Sequence, residues 1–481
     1  MVSSKQKGRF NLSRISLQIL FCPSLGLLFV SQLLGQQTNS FQGSVPSGAA
    51  SPMPLALTLD DAIQRGLKFN LGLLQSDVAS QTARAERRLA LSALLPQVTG
   101  TLNETKEQLN LKTLGLNIPP NPFVKIPTIV GPFSYTAAQA NVSAKILDWS
   151  ARRSFKSAKA SEEAARLSVQ DARDLVTQAV AGAYLQVIAD SSRVESINAQ
   201  VATDEAVYKG VSDQHDAGTA AGIDVLRAEV QLKTEQQQLL AQRNQLEKDK
   251  LALGRVIGLP PGQVFSIADT APFAPLSGIT QGEAIRLALA QRPDYQSAKK
   301  QVEAAQQTLG AARAEWYPTV DLSGFYGDTG PTLANSHGVF TINGALNFNI
   351  FNGGRISADI EKARAALKQR SDDLADLGVQ VEVQVRNAFL DLQSAADQVA
   401  VARDNLNLSN QTLDQARDRF KAGVTDTIEV VQAQGTVAAA NDNLIAALYA
   451  HNLAKVSLAR ALGLADQQIK KFIVVGEAGS K

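Results

Sequence analysis

VRNAFLDLQSAADQVAVARDNLNLSNQTLDQARDRF, residues 385–420, places a large apolar side chain at nearly every seventh position: Val385, Leu392, Val399, Leu406, Leu413 and Phe420. Between them runs a second comb of small residues: Ala388, Ala395, Ala402, Ser409 and Ala416. A seven-residue period held this long belongs to helices packed along their length as a coiled coil, not to a single globular core. Small side chains on the second comb allow close helix approach. No proline follows Pro331. The pattern therefore predicts an unbroken helix over about 355–421, on the order of 100 Å long at about 1.5 Å per residue.

The same text occurs earlier in the chain. At an offset of 205 (423 minus 218), the comb becomes Val180, Val187, Val194, Val201, Tyr208 and His215. Ala217-Gly218 falls on Ala422-Gly423, Asp224-Val225 on Glu429-Val430, and Gly258-Leu259 on Gly463-Leu464. Upstream, Thr58–Ile63 matches Thr280–Ile285, and Leu95-Pro96 matches Tyr317-Pro318, at an offset of 222 (285 minus 63). The 17-residue difference sits in an insert of the first copy, Leu109 to Phe133. Internal duplication of this kind sets the architecture. Repeat one covers 57–259 and repeat two 279–464, joined by a proline-containing linker, 260–278, and followed by a C-terminal tail, 465–481. Each repeat reads helix, strand, strand, long helix, sharp turn, return helix. The strands are expected over about 97–108 and 134–147, then 319–328 and 339–350. The long helices fall over about 152–216 and 355–421, the return helices over about 223–258 and 427–463. The return helices carry combs of their own: Leu232, Leu239, Leu246, Leu253, and Val437, Leu444, His451, Leu458. His451 in that comb reads as a packing residue.

The strand segments alternate with period two. Ala138, Ala140, Val142, Ala144 and Ile146 interleave with Gln139, Asn141, Ser143 and Lys145. In repeat two, Ile342, Gly344, Leu346, Phe348 and Ile350 interleave with Asn343, Asn347 and Asn349. One apolar face and one amide-rich face fit a strand between lipid and a wet lumen. A half-solvated soluble sheet would show the same alternation. Trp149 and Trp316 stand at the strand–helix junctions, where amphipathic rings mark a membrane boundary. Four strands cannot close a barrel, which needs about eight, and an open edge cannot sit in lipid. Spanning strands would thus require several copies, and periodicity does not choose between dimer, trimer and tetramer.

The remaining composition mostly excludes. The 481 residues carry 47 Lys+Arg against 45 Asp+Glu, a net charge of +2, which gives no broad case for binding nucleic acid. One Cys and three scattered His (His215, His337, His451) leave no disulfide framework and no metal-site spacing. No G-x-x-x-x-G-K-[ST], H-E-x-x-H or G-x-S-x-G occurs, so no catalytic residues and no cofactor are assigned. The basic start at Lys5, Lys7, Arg9 and Arg14, followed by the apolar Ile15–Leu34 stretch, is expected to be a secretory signal over 1–35. Phe21 before Cys22 argues against lipidation. Residues 36–56 read as a flexible leader.

Taken in order, these pieces resemble the TolC-like outer-membrane efflux proteins (outer membrane factors). The resemblance rests on Leu95-Pro96-Gln97 and Tyr317-Pro318-Thr319 leading into strands, and on Ile350–Arg355 opening the second long helix. The hairpin Phe420–Ala433 and the terminal Leu458–Gly463 complete it. It implies a mainly α fold with a small β part: a trimeric 12-stranded transmembrane β-barrel, four strands per chain, continued by a coiled-coil α-barrel in the periplasm. It implies a homotrimer in the outer membrane of a Gram-negative bacterium, serving efflux or type I secretion with a periplasmic adaptor and an inner-membrane pump. The insert 109–133 would be extracellular. By position, Glu429 would form an acidic ring at the periplasmic gate and Gln432 replaces a second acid. Phe420 and Asp224 would belong to the closing network, in which Thr425 replaces an Arg. The turns at Gly218, Thr219, Gly423 and Val424 would dock the adaptor. An exported coiled-coil structural protein without a pore is the competing reading.

Overall fold

The computed structural model describes residues 40–113, 115, 127–270, 272–275, 279–422, 424–425, 427–473 and 476–477. The expected signal segment, the centre of the insert and Gly423 lie outside the described residues.

The described residues begin with a 3-10 turn, Ser40–Gln42, and strand β1 (Leu55–Leu57). Helices α1 (Leu59–Phe69) and α2 (Leu71–Ser92) then lead into strands β2 (Gln97–Asn110) and β3 (Ile129–Leu147). The long helix α3 (Trp149–Asp216) and return helix α4 (Gly222–Val256) complete the first copy. Short strands β4 (Phe265–Ile267) and β5 (Asp269–Thr270) occupy the linker. The second copy repeats the order: α5 (Gln281–Gln291), α6 (Pro293–Ala314), β6 (Thr319–Gly330), β7 (His337–Asn347), α7 (Arg355–Lys421) and α8 (Thr427–Ala461). A short helix α9 (Ala465–Phe472) and strand β8 (Gly476–Glu477) follow.

Local chemistry explains the boundaries. The Asp148 carboxylate accepts from the Ala151 amide at 2.8 Å and caps α3, which starts at Trp149, three residues earlier than periodicity suggested. Thr280 and Glu283 form a reciprocal capping box on α5. The expected single opening helix of each repeat is in fact two. Asn70 leaves helical geometry and caps α2 through the Gly72 amide at 3.0 Å. In the second copy Pro293 occupies the first turn of α6 after the non-helical Arg292. Gly258 and Gly463, equivalent under the repeat, both adopt positive φ (72° and 71°). A Cβ there would lie 2.6 Å from Phe69 and 2.8 Å from Arg292, so each return helix ends against the break in the opening helices, where only glycine fits.

The four long strands form one antiparallel sheet in the order β2-β3-β6-β7. The helices that carry them pack in the matching order, α2 on α3, α3 on α6, and α6 on α7. The strands differ from expectation at their ends. β3 starts at Ile129 because β2 continues to Asn110, with a bulge between Glu107 and Leu109. β7 stops at Asn347 because that residue pairs with Thr319, the first residue of β6; Phe348 and Ile350 keep the alternation but have no strand beside them.

The main core lies where both copies meet. Val176, Val180, Tyr184 and Val187 of α3 join Val381 and Val385 of α7 with Val456 and Leu458 of α8. The small comb of α7 is buried throughout: Ala388, Ala395, Ala402, Ser409 and Ala416. Residues assigned to a loose leader, linker and tail are partly built into this core. β1 pairs in parallel with β4, and Ala465, Ile469 and Phe472 of α9 are buried. Arg173 reaches Asp466 at 2.8 Å, and Asp174 accepts from the Asp466 amide at 2.7 Å. Burial raises the Asp174 carboxyl to about 6 against that hydrogen bond.

Candidate functional site

The sheet registers turn a one-strand pattern into a two-faced wall. Cross-strand partners share a face. The set Val98–Val142–Gly324–Ile342 lies on one face, with Gly100–Ala140–Tyr326–Phe340 and Ala144–Leu322–Gly344. The opposite face carries Gln97–Ser143–Ser323–Asn343, Thr99–Asn141–Phe325–Thr341 and Lys145–Asp321–Ala345. Phe133, Ala137, Phe325, Val339 and Ala345 are the apolar exceptions there. On the polar face Asn141 donates to Thr101 at 3.1 Å, and Asn347 donates to Asp321 at 2.7 Å. On the apolar face Ile342 and Phe340 are 75% and 72% exposed in the single chain, far more than water tolerates across a contiguous patch. From Phe340 to Leu346 the apolar row runs six steps, about 20 Å at about 3.3 Å per residue. Outer-membrane strands carry an apolar band about 25 Å tall. Among the described residues no helix is long and apolar enough to cross a membrane.

The two tryptophans bracket the foot of this wall. Trp149 is the first residue of α3, half-exposed, with the Arg152 guanidinium 5.3 Å from its ring centroid. Trp316 is half-exposed just after α6, at the entrance to β6.

At the far end, two tight turns join α3 to α4 and α7 to α8. Gly218 takes positive φ (75°). Thr219 donates its hydroxyl to the Gln214 carbonyl at 2.9 Å, and His215 Nδ1 donates to the Ala220 carbonyl at 3.0 Å. Val424 is exposed in the second turn, whose amide bonds the Arg419 carbonyl at 2.9 Å. The residues aligned with a gate stand as follows. Glu429 accepts from the Thr425 hydroxyl and lies 3.3 Å from the Arg419 guanidinium. Phe420 packs on Leu413, Ala416, Val430 and Ala433 inside its own hairpin. Asp224 pairs at 3.2 Å with Arg227 inside the other hairpin. A single chain therefore does not join Phe420 to Asp224; each is held within its own hairpin. Gln432 lines an apolar groove of about 460 Å³ between α4 and α8, with Ile223, Leu226, Val230 and Val431.

Sequence reasoning missed a set of buried acids in the first hairpin. Asp190, 1% exposed, is bonded by Arg193 at 3.0 Å, Gln242 at 3.1 Å and Gln186 at 2.9 Å; Arg193 also reaches Asp442 at 2.8 Å. Asp204 and Glu235, 2% and 6% exposed, lie on α3 and α4 with glutamine partners: Gln200 donates to Asp204 at 2.8 Å and Gln231 to Glu235 at 3.3 Å. Asp204 Oδ2 is buried with no hydrogen-bond partner. Burial raises the carboxyl values of both, and Asp204 raises Glu235 further. Offsetting the second comb by 205 places Asp190 and Asp204 on it, which is the signal that could have found them.

The described residues include no cluster of three or more His, Cys, Asp or Glu placed to hold a metal. A sheet with one lipid-facing and one wet face, with every strand carried on a helix of a long bundle, defines the wall of a membrane conduit. The comparisons agree. The sequence matches the outer membrane efflux protein family over residues 62–259 and 284–464, the two repeats, and the chain belongs to that family. It is 26% identical over 418 residues to the pyoverdine export outer membrane protein OpmQ of Pseudomonas aeruginosa, covering 84% of this chain and 85% of that protein. It is 24% identical over 422 residues to the toluene efflux pump outer membrane protein TtgF of Pseudomonas putida, covering 84% and 82%. The fold matches the outer membrane protein VceC of Vibrio cholerae at a TM-score of 0.72 and 20% identity, over 84% of this chain and 96% of that one. This chain is an outer-membrane exit duct of an efflux system.

Proposed function

We propose that three copies close one barrel of twelve strands from three four-stranded sheets, and that the duct is gated at the turns joining α3 to α4 and α7 to α8. The free edges carry this reading. β2 and β7, with 14 and 11 residues, each pair on one side only, and unpaired strand edges are excluded from lipid. Two copies would give eight strands, whose interior is filled by side chains; three leave a lumen lined by the Thr/Asn/Gln/Ser face. The energy for transport comes from an inner-membrane pump, coupled through a periplasmic adaptor that meets the turns around Gly218, Thr219 and Val424. The exposed groove at Ile223, Leu226 and Val431 supports a protein contact there. The cargo is a small organic molecule, as the names of the relatives spanning most of the chain suggest.

Purification in detergent followed by planar-bilayer recording tests the reading. It expects a homotrimer that opens a wet conductance. A monomer without conductance defeats it and favours an exported coiled-coil protein without a pore.

A further inference from the structure

The near-zero net charge conceals an uneven distribution along the molecule. Each of the four helices that carry the sheet holds cations close to the sheet's foot. Several are matched: Arg84 and Arg87 by Glu162, Lys300 by Glu163, and Arg355 by Glu315. Of the rest, Arg88, Arg152, Lys156, Arg313, Lys362 and Arg364 are six that are exposed and lie in no ion pair among the described residues; Arg153, also exposed, bonds the Gln307 amide oxygen at 2.9 Å. Exposed acids without a cation in the same zone are only Glu86 and Glu361. All six cations lie within about ten residues of a helix end at the sheet, about 15 Å at 1.5 Å per residue. The same level carries Trp149 and Trp316, and Arg152 stacks over Trp149.

We infer that this collar binds the phosphate headgroups of anionic phospholipid in the periplasmic leaflet of the outer membrane. The chemistry is complementary. Unmatched guanidinium and ammonium groups sit directly below an apolar band, beside amphipathic rings, where the surface potential of an anionic leaflet acts within a Debye length. The site continues the lipid-facing surface of the sheet, since cross-strand partners Leu147 and Val320 lie two and four residues from Trp149 and Trp316. The collar fixes the depth of the barrel and recruits a specific lipid class to it, and its role is separate from the gate and the adaptor turns.

The full-length protein in nanodiscs of mixed phosphatidylglycerol and phosphatidylcholine, with a spin-labelled form of each lipid in turn, provides the test. Wild type is expected to retain phosphatidylglycerol about threefold over phosphatidylcholine at low salt, falling towards no preference at high salt. The Arg152→Gln/Lys156→Gln/Arg313→Gln variant is expected to lose the preference while remaining folded and conducting. Lys209→Gln, a neutralisation far down α3, is expected to keep it. A wild type without preference, or a triple variant that retains it, overturns the inference. So does an unchanged lipid ratio with a reversal potential shifted towards cations, which would place the charges on the tunnel wall. A protein that conducts but shows no lipid preference fails this inference alone and leaves the duct reading standing.

Discussion

The two hairpins are the same element written twice, yet their interiors differ in kind. In α7 the small comb is Ala388, Ala395, Ala402, Ser409 and Ala416, all buried and none ionisable. At the equivalent positions α3 carries Ala183, Asp190, Ile197, Asp204 and Val211. Glu235 of α4 corresponds to Ala440 of α8, which is 1% exposed. Hairpin two is thus closed by small side chains at short range, and hairpin one by carboxylates that must be matched or protonated. The support around the acids has no counterpart in the second copy: Arg193, which holds Asp190, corresponds to Gln398, and Gln231 to Thr436. The backbone plan tolerates both interiors, but only the α3 comb puts carboxylates into the helix seam.

The strongest way to break the comparison is to move one acid across. Ala395→Asp gives hairpin two the residue of position 190 without its arginine. A buried carboxylate lacking a partner costs about 3–5 kcal/mol, so a large fall in the thermal midpoint of the detergent-solubilised protein is expected. Adding Gln398→Arg in the same chain should recover part of the loss. If Ala395→Asp alone costs less than about 1 kcal/mol, the surface-like range, the two interiors are equivalent and the contrast is void.

The reverse exchange is smaller and depends on pH. Asp204→Ser with Glu235→Ala gives hairpin one the residues of hairpin two at these two positions, Ser409 and Ala440. Both acids bind their protons more tightly in the folded chain than in the unfolded one. Their unfavourable contribution is therefore absent below the ordinary carboxyl range near 4. It grows as pH rises through the raised folded values and is complete above them. The exchange should stabilise at pH 8 by about 1–3 kcal/mol, the scale of one buried unsatisfied polar group, and do little near pH 4. Midpoints measured from pH 4 to 8 check it; parallel curves for wild type and variant would show that the acids are paid for elsewhere.

How far the sequence carries this picture depends on the range of the interactions. Strand faces, heptad seams and the Asp148-Trp149 and Thr280-Glu283 helix starts rest on side chains a few residues apart, and they are readable from spacing. The break at Asn70 also had a local signal, an Asn at a cap position, as did Pro293 at the start of α6. β1 could not be read locally, because Leu55 pairs with Phe265 and neither three-residue strand has a periodicity of its own. The buried acids were hidden for another reason. A search for apolar combs discards positions occupied by Asp, and only the register of the second copy, with Ser409 at the position of Asp204, separates Asp204 from an ordinary surface carboxylate such as Glu205. At the tips, the family resemblance singled out Glu429, Phe420 and Asp224, but partner choice came from side-chain reach: Glu429 takes Arg419 and Thr425, and Asp224 takes Arg227.

That last point makes Glu429 the weakest lever on stability and, under the gating proposed above, a direct one on conduction. Its pair with Arg419 is solvent-accessible on both sides, 56% and 38%, and exposed pairs of this kind contribute about 0–1 kcal/mol. Glu429→Ala should leave the thermal midpoint within about 0.5 kcal/mol of wild type. With the gate at the helix turns as proposed, neutralising the same residue in every copy removes negative charge from the narrow end of the duct, where a ring of like charges attracts cations. Single-channel recordings across a salt gradient should then show a reversal potential displaced away from cation preference. Arg419 sets the size of the effect, because its charge already offsets Glu429 within each hairpin. Arg419→Gln should displace the potential in the opposite direction, and a double variant should lie between the two. An unchanged potential in all three variants would remove Glu429 from the conduction path and leave the acidic interior of hairpin one, not its tip, as the feature that separates the two repeats.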